Sequence, residues 1–308
     1  MILDVTNGGV ASNAFKLYNP FSKKARVLKW AAKMCFVNLN PLFKSLAKKH
    51  KVDSAFIAYL ESELREDFSV SVYKATAKDK LVIQLQTKAG IYGYVKFPIN
   101  AIGLKRITNE IKAIEMLSER GIVKPAKAIL NFKNTSFIII DELEGTIEDV
   151  AFKDTFTVLQ GFKKTNQYEL KNHPRILQLL AQAKNSEVTL LGGMLKQLIA
   201  TSQCHYYEVF EHGDFTPWNL IKTKHGVVPF DFEYFVVSGL EYLDAIKFVY
   251  QIGKLLKNLQ GLELQCFVSA QIPCEEPELL FKIFLIKEIL RLENDDENFD
   301  FELQMLQL

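Results

Sequence analysis

Several common protein classes are ruled out by what the sequence lacks. Its four cysteines, Cys35, Cys204, Cys266 and Cys274, are widely separated. None forms a CxxC pair or a Cys/His cluster of zinc-ligand spacing, so they are expected to be reduced, mostly buried thiols. His173, His205 and His225 have no ligand-like neighbours in sequence and read as surface or turn histidines. No stretch of about 18 uninterrupted apolar residues is present, which excludes a membrane-spanning helix of ordinary length. The opening MILDVTNGGVASNAF has no basic leader followed by an apolar run, so a secretory signal is not expected and the cytoplasm is. Internal repeats and low-complexity tracts are missing too, and the one long loop-like stretch is the acidic ENDDENFDFE near the C-terminus, which reads as solvated.

What is present is enough for a folded, enzyme-sized protein: 308 residues, 48% of them hydrophobic. The formal net charge of +2 hides an asymmetry. Residues 1–51 contain Lys16, Lys23, Lys24, Arg26, Lys29, Lys33, Lys44, Lys48, Lys49 and Lys51 against Asp4 alone. Interleaved with Phe21, Leu28, Trp30, Phe36 and Phe43, this basic stretch has three readings. It is the wet face of a helix packed on the main body, a peripheral contact with an anionic membrane, or, as a minor alternative, a nucleic-acid contact.

Periodicity supplies the organisation. Residues 22–36 place Ala25, Leu28, Ala32 and Cys35 at helical spacing, with Ser22 as N-cap. A second helical stretch runs over 54–65. SVSVYKAT, KLVIQLQT and IYGYVKF then read as three consecutive antiparallel strands. ITNEIKAIEMLSERG is a helix with Ile107, Ile111, Ile114 and Leu117 on one face and Gly121 as its stop. Two further strands follow, PAKAILNF and SFIIIDEL. From Asp149 the chain reads as mainly helical, over 175–183, 188–203, 242–258 and 277–292, interrupted by a strand, a loop and a hairpin turning at His225 and Gly226. The expected organisation is a basic helical extension (1–51), a β-rich half (52–143) and a helical half (144–308).

One segment carries chemistry. His212-Gly213-Asp214-Phe215-Thr216-Pro217-Trp218-Asn219 sets an Asp and an Asn five apart in a loop, and Asp231 follows twelve residues after Asn219, beyond a hairpin. Phosphoryl transfer needs a carboxylate to orient and accept the proton of an attacking hydroxyl, and hard oxygen ligands for the magnesium that clamps the phosphates. A hairpin between Asn219 and Asp231 returns the chain beside itself, so that both oxygens can face one metal.

HGDFTPWN followed by FDFE resembles the catalytic and metal-binding motifs of the aminoglycoside phosphotransferase and choline kinase family, relatives of the protein kinases. The resemblance implies a bilobal α+β fold, with an antiparallel sheet and one main helix in the first lobe and a mostly helical second lobe. It implies ATP and Mg2+ as cofactors, Asp214 as catalytic base with His212 bracing its loop, Asn219 and Asp231 as metal ligands, and Glu233 assisting the metal through water. Asp244 matches the family aspartate that steadies the catalytic loop. By their order along the chain, Lys96 and Glu110 take the places of the family's phosphate-binding lysine and its carboxylate partner, and Glu142 and Glu144 flank the adenine connector. The implied activity is transfer of the γ-phosphate to a hydroxyl of a small molecule, a sugar or glycan (lipopolysaccharide) component in the first reading. Choline or aminoglycoside acceptors, or a nucleotide-binding scaffold without turnover, are the alternatives. KATAKDK, between the first two strands, lacks the glycine-rich loop of protein kinases, and Thr216 stands where those enzymes usually carry lysine, which argues against a protein substrate.

Overall fold

The computed structural model describes residues 2–17, 23–46, 54–74, 79–146 and 150–308. It divides into two compact units, Met1–Ser118 with Lys124–Leu143, and Glu119–Val123 with Glu144–Leu308.

The first unit opens with helices α1 (Gly8–Ala14), α2 (Lys23–Lys33), α3 (Asn40–Phe43) and α4 (Ser54–Leu64). Strands β1 (Ser69–Lys74), β2 (Lys80–Thr87) and β3 (Gly90–Pro98), helix α5 (Ala101–Ser118), and strands β4 (Ala128–Phe132) and β5 (Thr135–Ile140) follow. The strands form one antiparallel sheet in the order β1-β2-β3-β5-β4. Because successive side chains alternate between faces, the apolar set Ile83, Leu85, Val95, Phe137 and Ile139 lies on one face and packs against Phe56 and Leu60 of α4. Phe56 meets Phe97, Phe132 and Phe137 edge-on with ring centroids 5.1–5.5 Å apart, geometry that aromatic pairs favour. The opposite face carries Ser71, Gln84 and Lys96. Helix α5 buries Ile107, Ala113, Ile114 and Leu117.

The second unit contains α6 (Phe156–Phe162), β6 (Lys163–Glu169), α7 (Pro174–Ala183), α8 (Leu191–Thr201), β7 (His205–Glu211), the hairpin β8 (Leu220–Thr223) and β9 (Gly226–Pro229), β10 (Val236–Leu240), α9 (Leu243–Gln251), α10 (Gly261–Ser269), α11 (Pro277–Asn294) and α12 (Asp300–Leu306). A three-stranded sheet ordered β10-β7-β6 sits among the helices. Two of its strands escape the periodicity. β6, KKTNQYE, is an edge strand with little apolar content, and β10 is a five-residue segment whose pairing with β7 shifts register between Val236 and Gly239. The hydrophobic centre is helix α11, which buries Leu280, Phe281, Ile283, Phe284, Leu285, Ile286 and Ile289.

Several expectations need correction. Cys35, Cys204 and Cys274 are free but only half-buried, and Cys266 is exposed. His173 is fully buried: it caps α7 by accepting from Arg175 N at 3.2 Å, and its Nε2 lies 3.3 Å from Tyr207 O. In α2 the face Ala25, Leu28, Ala32 and Cys35 is not a packed stripe, since Leu28 is exposed and the other three are half-buried. Ser22, its expected N-cap, lies outside the described residues. Asp295 in the acidic stretch is not solvated, because it accepts from Tyr234 Oη at 2.5 Å and pairs with Arg291 at 3.2 Å.

Candidate active site

In the second unit, β7 delivers the chain directly into the loop 212–219, which closes on a single 3-10 turn, Pro217–Asn219, before the β8–β9 hairpin. His212 is fully buried, and its two ring nitrogens are committed to backbone. Nε2 lies 3.0 Å from Phe230 O, and Nδ1 accepts from Asp214 N at 3.3 Å. Since a carbonyl can only accept, the proton belongs on Nε2, and the imidazole ties the loop to the far side of the hairpin. It therefore positions Asp214 and has no free nitrogen for proton transfer to a substrate. Gly213 has φ +82°, and a Cβ there would lie 2.3 Å from Tyr234 O, so any other residue would clash with backbone.

Asp244, in the first turn of α9, fixes the loop from below. Its Oδ2 accepts from His212 N at 2.6 Å and its Oδ1 from Gly213 N at 3.0 Å. Burial, with the nearby Glu211 carboxylate, pushes its pKa up to about 7 against the opposing pull of Lys287 and those two N–H groups. Asp244 thus ties two successive backbone N–H groups of the loop to the first turn of α9.

Asp214 is left with a quarter of its side chain exposed. Its Oδ2 accepts from Asn219 Nδ2 at 2.8 Å, and Asn219 Nδ2 also donates to Asp214 O at 2.9 Å. These two bonds occupy the amide nitrogen of Asn219, and its amide oxygen is an atom type suited to a hard cation. Leu220 pairs with Pro229 across the hairpin, and Phe230 N donates to Asn219 O at 3.0 Å, so the residue before Asp231 is bonded to Asn219. Asp231 has φ +67°, an uncommon conformation for a non-glycine residue and one that clusters at functional sites. Glu233 follows, half-buried, beside Tyr234.

Behind the loop lies a buried charge network that the sequence did not reveal. Lys247 of α9 is 3.2 Å from Asp214 Oδ1 and 2.6 Å from Glu288 Oε1 of α11. Lys287 donates to Gly213 O at 3.1 Å and lies 3.3 Å from Glu211 Oε1. Arg175 holds Glu211 with two hydrogen bonds, at 3.1 and 3.0 Å, and Arg291 bonds Glu288 at 2.6 Å. Burial disfavours the charge of Glu288, but Lys247, Arg291 and Lys287 more than offset it and hold the carboxyl below the ordinary range. Glu211 is held down in the same way by Arg175 and Lys287. The signal available in the sequence was a lysine or glutamate inside apolar helical runs, LDAIKFVY and LIKEIL, where a charge needs a partner.

In the first unit, Lys96 Nζ lies 2.5 Å from Glu110 Oε1, joining β3 to α5 through a pair whose side chains are 7% and 2% exposed. The same sheet face is lined by the N-terminal segment: Asp4 N donates to Ser71 Oγ at 2.9 Å, and Gln84 Nε2 to Asn13 O at 3.0 Å. Glu142 pairs with Lys16 at 3.0 Å, and Glu144, which belongs to the second unit, is exposed. Among the described residues no three His, Cys, Asp or Glu side chains cluster closely enough to hold a metal by themselves. An amide oxygen and a carboxylate, as Asn219 and Asp231 carry, are hard donors of the kind that magnesium takes together with phosphate oxygens and water.

No family model matches the sequence, and no curated protein matches it. Solved structures do match in fold. A macrolide 2'-phosphotransferase type I superposes with a TM-score of 0.51 at 11% identity, over 84% of this chain and 97% of that one. An amicoumacin kinase, solved with AMP-PNP, Ca2+ and amicoumacin, gives 0.51 at 13% identity over 83% and 91%. The chain thus has the bilobal α+β, protein-kinase-like fold of the small-molecule phosphotransferases, the group that its HGDFTPWN and FDFE motifs resemble.

Proposed function

We propose that the protein is an ATP-dependent phosphotransferase that moves the γ-phosphate to a hydroxyl of a small molecule. The observation that carries this reading is the Asp214 carboxylate, a quarter exposed yet held on one oxygen by Asn219 and on the other by Lys247. A carboxylate pinned in this way can accept a hydrogen bond from an acceptor hydroxyl, orient its oxygen and take its proton as the new oxygen–phosphorus bond forms and the bond to ADP breaks. His212 holds the backbone N–H of Asp214, and Asp244 the N–H groups of the two residues before it, during that step. Asn219 and Asp231 would hold magnesium, with Glu233 acting through water; when bound, the ion neutralises charge on the phosphate oxygens. Lys96, aligned by Glu110, would meet the α- and β-phosphates, and the backbone near Glu142 and Glu144 the adenine.

The acceptor class that we favour is a sugar or glycan hydroxyl. A cationic acceptor such as choline or an aminoglycoside would want acidic walls, and Asp295 is already committed to Arg291 and Tyr234. A non-catalytic nucleotide scaffold is disfavoured because Asp214, Asn219 and Asp231 are all retained in the sequence. The test is ATP consumption by the purified chain with Mg2+ across sugars, lipid A and core precursors, choline and aminoglycosides. Asp214→Asn is expected to abolish turnover while ATP still binds. Wild-type protein that binds ATP and consumes none with any acceptor, or Asp214→Asn that turns over normally, would defeat the reading.

A further inference from the structure

We infer that α2 is an interfacial helix that docks on the surface of an anionic lipid bilayer. Val27, Trp30 and Ala31 of α2 and Met34, the first residue of the helical segment Met34–Asn38 that continues it, stand at i, i+3, i+4 and i+7, the spacing of a single helical stripe. In a helix packed on its own protein such a stripe is buried. Here it faces solvent: Val27 is 64% exposed, Trp30 65% and Met34 41%, and Ala31 is exposed as well. None of the described side chains of α2 is buried. On a helical projection Arg26 and Lys33 flank the stripe on one side and Lys24 on the other, all three exposed. Leu39, Leu42 and Leu46, in the turns that follow, are also exposed, at 48, 69 and 75%.

Charge complementarity selects the occupant. An apolar stripe with a tryptophan, bordered by cations, matches the boundary between acyl chains and anionic headgroups, where the ring and the aliphatic side chains enter and the ammonium groups stay at phosphate level. The basic charge is concentrated within residues 1–51, whereas the rest of the chain carries an excess of acidic residues, so an anionic surface would attract this end and repel the remainder. No helix among the described residues is long and apolar enough to cross a membrane, so the contact is peripheral.

This inference stands apart from the phosphotransfer reading and is tested without turnover. The full chain is sedimented with phosphatidylcholine vesicles and with vesicles that also contain phosphatidylglycerol. Binding to the second kind alone, released by high salt, is the expected result. Val27→Ser/Trp30→Ser/Met34→Ser and, separately, Lys24→Gln/Arg26→Gln/Lys33→Gln should each weaken binding by about tenfold or more. Both sets should melt at the wild-type temperature, since none of these side chains is buried, and Asp214→Asn should bind vesicles as wild type does. Equal binding to both vesicle types, no binding to either, or unaltered binding by both triple variants overturns the inference. So does lipid-free self-association that the serine variant abolishes, which would assign the stripe to a second copy, or salt-sensitive binding to duplex DNA or RNA as tight as that to vesicles.

Discussion

The Lys247 ammonium bridges two carboxylates, lying 3.2 Å from Asp214 Oδ1 and 2.6 Å from Glu288 Oε1 with its side chain 1% exposed. One cation thus links the candidate catalytic loop to the core helix α11, and Asp214 owes part of its orientation to a residue that never meets solvent.

Lys247→Met should be strongly destabilising. It keeps most of the side-chain volume but leaves Glu288 bonded to Arg291 alone, with Lys287 acting only through its charge, and removing one member of a buried ion network typically costs roughly 3–5 kcal/mol. Because Arg291 remains, the lower end of that range is expected in urea unfolding. The double variant Lys247→Met/Glu288→Gln should lose less than the sum of the two single losses, by at least about 1 kcal/mol. Strict additivity would mean that the two side chains are not energetically coupled.

For the pair in the first unit, structural and functional roles can be separated. Lys96→Met strands the Glu110 carboxylate in a nearly solvent-free site, which should destabilise by about 3–5 kcal/mol. Lys96→Met/Glu110→Leu removes the stranded charge and should recover most of that stability. Titration with ATP is the deciding measurement: both variants are expected to bind at least about tenfold more weakly than wild type, as loss of a charge-assisted phosphate contact implies. Restored ATP affinity in the double variant would reduce the pair to a structural strut.

His173 predicts a specific acid sensitivity. Burial holds its imidazole below the ordinary value of 6.5, against the opposing influence of Tyr207 O, Glu208 and Glu211. The folded form therefore stays neutral at a pH where the unfolded chain takes up a proton. Its contribution to stability is fully present above the unfolded pKa and is lost as pH falls through and below 6.5. His173→Asn keeps an acceptor for Arg175 N and so keeps the cap of α7, but it cannot titrate. Its melting temperature should fall less than that of wild type between about pH 7 and about pH 5. Parallel declines would show that His173 is protonated in the folded protein.

Much of the site was legible because its chemistry is local. Asp214, Asn219 and Asp231 sit within one loop and one hairpin, and the hairpin was readable from turn chemistry, although its turn falls at Lys224 and His225, one residue before the expected His225 and Gly226. Lys96 and Glu110 could be matched by order alone, since a strand followed by a helix leaves few ways to bring them together. Strand β6 was hidden by its polarity: an edge strand can be stabilised by backbone pairing to β7 without an apolar alternation to announce it.

The sequence by itself determined the alternation of strands and helices in the first unit, the loop chemistry and the basic N-terminal segment, since each depends on residues close together in the chain. Tertiary structure alone decided which charges are buried together, that His173 is a buried cap, that Asp295 turns back onto Tyr234, and that the apolar stripe of α2 faces water. Those outcomes depend on which surfaces meet across long sequence separations, as with Lys247 and Glu288, and the free energy of a charge or an apolar side chain is set by the partner it finds there.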